Sequence, residues 1–137
     1  MLLRSTNIQK ESSMVINFNP KYIPGDIVYN HKKEIIRITS SYLKGTKLFY
    51  YRDGEYGWIR EDAIKPIPLT PEILDKNGWE LDSATWIYKK GYIKVFKLLD
   101  DKTYAAYIFE VRVFEFHFIH ELQHLLFGLG INHEMEV

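Results

Sequence analysis

The chain has no cysteine. That absence excludes disulfides, cysteine–zinc sites and thiol catalysis together, and it suits a reducing compartment. It has no net charge: 18 Lys and Arg balance 18 Asp and Glu. No global field draws it toward nucleic acid or an anionic membrane, so neither partner is expected on charge. No run approaches the ~18 apolar residues of a membrane span, and Met1-Leu2-Leu3-Arg4-Ser5-Thr6 lacks a signal peptide's apolar core. There is no glycine-rich phosphate loop, serine nucleophile elbow or paired-carboxylate signature. Glu61-Asp62 and Asp100-Asp101 read as turn residues. The expectation is a cytoplasmic protein.

What is present is aromatic. Ten Tyr and eight Phe in 137 residues, with 46% hydrophobic content, predict an aromatic-rich, β-rich core. The length fits one domain, or two small ones sharing a core. Residues 1–14 read as a disordered tail, and Met14 is an alternative start to Met1. Residues 15–67 hold short strands separated by Pro24-Gly25, Asn30-His31-Lys32-Lys33, Lys44-Gly45-Thr46 and the hairpin signal Asp53-Gly54. The strands are read at 26–29, 34–39, 47–51 and 56–59, with a tight helical turn at 60–63 before 64–67. This spacing predicts a small antiparallel barrel of SH3-like type. Tyr50, Tyr51, Tyr56 and Trp58 lie where a binding groove would be lined; Tyr51, Tyr56 and Trp58 are its candidate surface.

Residues 68–137 predict an α+β module. Thr70 suits an N-cap, Pro71 suits N1, Glu72 favours the positive helix end, and Asn77-Gly78 stops the helix. A four-stranded antiparallel meander follows, at 85–89, 92–98, 104–109 and 111–116. The chain ends in an amphipathic helix, closed by Gly128 and Gly130, and a trailing segment 131–137. At about 100° per residue, Phe118, Leu122, Leu125 and Leu129 make the apolar stripe. His117, His120, Glu121 and His124 fall opposite it.

His120-Glu121-x-x-His124 spells a zinc-protease helix: two histidines at i and i+4 on one face, with the glutamate as general base to a zinc-bound water. His117 is a candidate third ligand, and Glu121 the candidate catalytic residue. Phe127 and Gly130 occupy the places where the longer metzincin motif carries glycine and histidine.

Two stretches carry a family resemblance. Pro66-Ile67-Pro68-Leu69-Thr70-Pro71-Glu72-Ile73-Leu74-Asp75-Lys76-Asn77-Gly78-Trp79 resembles "x-P-I-P-L-T-x-E-x-L-x-x-x-G-F", and Phe118 to Leu125 resembles "Y-V-H-x-L-Q-x-L". Both patterns occur, in this order, in uncharacterised small proteins of Bacteroidetes bacteria and their phages and mobile elements. The likeness covers roughly 22–130 and brings no assigned activity. It fixes His120, Leu122 and Gln123 and lets Glu121 and His124 vary, which a zinc protease does not tolerate. His120 and Gln123 are therefore read as a polar structural pair, and Glu121 and His124 as replaceable. The first reading is a binding or interaction protein without cofactor, taking an unknown protein or small-molecule ligand. The alternative is a Zn²⁺-dependent hydrolase.

Overall fold

The computed structural model describes residues 20–54 and 57–137. The expected tail, the Met14 start and Tyr56 lie outside them. Among the described residues, two five-stranded antiparallel sheets and two α-helices form an α+β fold. The first sheet contains β1 (Ile27–Tyr29), β2 (Ile35–Lys44), β3 (Lys47–Arg52), β4 (Trp58–Arg60) and β5 (Lys65–Pro66), ordered β4-β3-β2-β1-β5. The tight turn expected before the last strand is a 3-10 turn at Glu61–Ala63. After it the chain returns to β1, pairing Val28 with Pro66 and Tyr29 with Lys65. β4 and β5 remain sheet edges, so the strands do not close into a barrel. They are three and two residues long, and Pro66 has no N–H to extend a ladder.

Alternation sorts this sheet into two faces. Val28, Ile36, Ile38 and Tyr50 are buried with Tyr22 and Ile64, and Ile59 packs on them. The Tyr50 hydroxyl donates to Glu61 and accepts from the backbone N–H of Lys21 and Tyr22. Tyr50 is thus a core residue and not part of a groove.

The second sheet is a plain meander of β6 (Glu80–Asp82), β7 (Ile87–Lys90), β8 (Ile93–Lys97), β9 (Tyr104–Ile108) and β10 (Val111–Phe116). It has five strands where four were expected. The extra edge strand, Glu-Leu-Asp, has neither β-branched nor aromatic residues to announce it.

α1 (Pro71–Lys76) is capped as its sequence predicts: Thr70 Oγ1 accepts from Ile73 N–H, and Gly78 takes φ +81° after Asn77. α2 (Ile119–Gly128) buries Ile119, Leu122 and Leu126 against Tyr104, Phe116, Leu74 and Ile27. Ile27 belongs to the first sheet, so α2 packs on both halves. Segment 131–137, expected to trail off, returns to the core. Met135 is buried, and the Asn77 side-chain amide bonds both the N–H and the C=O of Glu136. No helix among the described residues is long and apolar enough to cross a membrane.

Candidate functional site

Cross-strand register decides which side chains share the outer face of the first sheet. Tyr42 opposes Phe49, Tyr51 opposes Trp58, and Arg60 opposes Phe49. All five stand on one face, because directly opposed residues point the same way. Tyr42 stacks against Phe49 at 5.5 Å and Tyr51 at 5.6 Å; Trp58 sits edge-on to Phe49 at 4.1 Å. Phe49 is covered by its neighbours, whereas Tyr51 is 37% and Trp58 45% exposed. Two of the three proposed groove residues, Tyr51 and Trp58, thus lie together, and Tyr42 and Phe49 join them. Alternation within β3 puts Phe49 on the face of Tyr51, but Tyr42 reaches that face only through the register shift between Ile38 and Ser40, which reverses the side that alternation from Ile36 and Ile38 would give it.

The histidine helix is built otherwise than its wheel suggests. Glu121 sits at the third helical position and reaches back, Oε1 accepting from the N–H groups of His117 and Phe118 at 3.1 Å each. This one-sided cap, in which only the Glu121 side chain takes part, starts the helix at Ile119. His117 therefore precedes the helix and does not share its face with His120 and His124; its Nε2 lies 3.0 Å from Thr103 Oγ1. Because Thr103 donates its hydroxyl hydrogen to Asp100, His117 Nε2 is the donor in that contact.

His120 is 5% exposed, and its Nδ1 has no hydrogen-bond partner among the described residues. Burial lowers its pKa from 6.5 to about 4; the charge of Asp26 works the other way. It packs edge-on to Tyr22 at 5.0 Å and to His124 at 5.4 Å. His124, read as replaceable and turned from the core, instead places Nε2 2.6 Å from Oδ2 of the fully buried Asp26. Gln123 is also fully buried. Its Oε1 accepts from Ile27 N–H, and its Nε2 donates to the carbonyls of Gly25 and His133.

This donor set fits zinc hydrolysis poorly. Glu121 is committed to the helix cap, His117 to Thr103 and His124 to Asp26. Among the described residues, no group of three or more His, Cys, Asp or Glu is placed to hold a metal ion.

A further feature had no catalytic spelling to reveal it. The two motif stretches meet edge to edge: Leu69 N–H donates to His117 C=O, and Ile119 N–H donates to Ile67 C=O. Beside this junction opens a cavity of about 560 Å³, walled by Leu69, Thr70, Pro71, Tyr104, His117 and Phe118 among others. It is of a size that holds a small ligand. No protein-family model matches the chain, and comparison with curated proteins and with solved structures returns no match.

Proposed function

We propose that this is a small binding protein that docks its ligand on the outer face of the first sheet. The observation that carries the reading is the ring cluster of Tyr42, Phe49, Tyr51 and Trp58, with Tyr51 and Trp58 left open to solvent. Solvent-exposed clustered aromatics cost hydration free energy that a partner recovers by covering them. The same reading keeps the SH3-like barrel expected over 15–67, left open between β4 and β5. The return of β5 beside β1 after a 3-10 turn supports this. A cytoplasmic role for a phage or mobile element, as the resemblance implies, belongs to the same proposal. The zinc-dependent hydrolase has the weaker support, because Glu121 and His124 already have structural tasks.

The test compares immobilised wild type with a Tyr51→Ser/Trp58→Ser variant for what each retains from bacterial extract. Retained protein, nucleic acid and small molecules are all identified. The expected result is a component held by the wild type and lost from the variant, with both proteins folded by circular dichroism at the temperature of the test. Equal retention by both overturns the proposal.

A further inference from the structure

The hairpin that carries the aromatic face ends in an unfavourable pairing. Lys44 and Lys47 oppose each other directly across β2 and β3. Like charges in that relation repel and destabilise the hairpin. Both are exposed, and no carboxylate pairs with either among the described residues. Two-residue alternation puts Lys44 on the face of Tyr42, and Lys47 on the face of Phe49. Arg60, opposite Phe49, completes a rim of three cations around the rings. Arg60 touches Asp62 at 2.8 Å, an exposed pair that leaves guanidinium donors free. None of the strand positions on this face, Ser40, Tyr42, Lys44, Lys47, Phe49, Tyr51, Trp58 and Arg60, is acidic. Next to Lys47 and Arg60 opens a recess of about 510 Å³, where Lys21 and Lys65 also reach the wall, against only Glu61 and Asp62.

Resting on the reading of the aromatic face as the docking surface, we infer that its ligand is a single-stranded nucleic acid. The partner must supply flat apolar faces for Tyr51 and Trp58 and anions for the lysine pair. An unpaired polynucleotide presents both in alternation, bases for the rings and phosphates for the cations. An acidic peptide would satisfy the lysines but not the rings, and a proline-rich peptide the rings but not the lysines. The zero net charge of the whole chain is no obstacle, because the positive charge is concentrated where the rings are.

The test is a fluorescence anisotropy titration of the full chain with labelled oligothymidine and oligouridine of about ten nucleotides, within the span of a single small module. Three phosphate contacts predict a loss of affinity of roughly 20-fold between ~50 and ~200 mM salt. Trp58→Ala should weaken binding by roughly 5- to 150-fold, the range of one base stack. Lys44→Glu/Lys47→Glu changes exposed positions only, so its fold is retained, and it should cut the salt slope to about a third. The thymidine and uridine arms distinguish DNA from RNA. Oligonucleotide binding that ignores both variants overturns the inference. So does no oligonucleotide binding while a proline-rich peptide, or a retained extract component, still needs Tyr51 and Trp58; the aromatic-face reading then stands alone. If neither class requires those rings, both readings fall.

Discussion

His124 Nε2 lies 2.6 Å from Asp26 Oδ2, joining the C-terminal helix to a carboxylate 98 residues earlier. Asp26 is fully buried, and its Oδ2 also accepts from Ile23 N–H at 2.9 Å. An ionised carboxylate only accepts, so His124 carries its hydrogen on Nε2. The pair holds the entry to β1 against α2. Removing the imidazole leaves the acid in the core with one backbone donor. His124→Ala should cost ~1.5–3 kcal/mol in urea unfolding, the range for a hydrogen bond to a charged group. Asp26→Ala/His124→Ala should cost less than the two single changes added together, because either change alone already removes the contact. Strict additivity would mean that the two side chains do not stabilise one another.

Gln123 ties three segments at once through Ile27, Gly25 and His133. A leucine of similar volume would fit the space but leave the buried Ile27 N–H and the half-buried carbonyls of Gly25 and His133 without their partner. Each buried, unsatisfied group costs ~1–3 kcal/mol. Gln123→Leu should therefore destabilise the chain by several times ~1 kcal/mol, and the Ile27 amide should exchange hydrogen much faster. An Ile27 amide as protected as in the wild type would show that its bond to Gln123 is dispensable.

Gly25 is required twice over. Its φ is +97°, and a Cβ placed there would lie 2.7 Å from His133 Nε2. His133 is held in place by the Pro24 carbonyl at 3.0 Å. Gly25→Ala must therefore strain the backbone and push the His133 imidazole off the Pro24 carbonyl. The backbone term alone is ~1–2 kcal/mol. A Gly25→Ala/His133→Ala chain should regain the part due to the clash and keep the part due to φ. A double variant no more stable than Gly25→Ala would assign the whole cost to the backbone.

The legible parts of this fold were those written locally. Thr70-Pro71 and Asn77-Gly78 bracket α1 in the sequence as they do in space, and the Asp53-Gly54 and Lys90-Gly91 turns separate paired strands. Alternation within β3 turns Tyr50 to the face opposite Tyr51, whereas the setting of Trp58 beside Tyr51 depends on the register between β3 and β4. The illegible parts depend on distant partners or on missing punctuation. Asp26 has no local feature that names His124. A helical wheel has no origin, so it counted His117 into a helix that Glu121 starts two residues later. The extra edge strand Glu80–Asp82 lacks β-branched and aromatic residues, whereas the break at Phe109-Glu110 is legible from the strands on either side although its φ of +48° and +68° come without Asn or Gly. The return of Met135 to the core is set by Asn77 and Gln123, far away along the chain.

His120 makes stability depend on pH in a direction that can be stated. Its imidazole is packed among Tyr22, Phe118 and His124, with Asp26 and Lys21 contributing charge from nearby. Burial disfavours the protonated ring and lowers the folded-state pKa to about 4, against 6.5 unperturbed. As pH falls below 6.5, the unfolded chain takes up a proton that the folded chain refuses. The contribution of this group is complete above that pH, declines as pH falls toward 4, and levels off below. The full change corresponds to roughly 3 kcal/mol, or ~1.4 kcal/mol per pH unit at its steepest. Carboxylates titrate over the lower part of the same window, so wild type must be compared with His120→Gln, which cannot take up this proton. Urea unfolding from pH 7.5 to 4.5 should show the wild type losing more stability than the variant, chiefly between pH 6.5 and 4.5. Parallel losses in the two proteins would assign the acid sensitivity to other groups and show that His120 is protonated as easily in the folded chain as in the unfolded one.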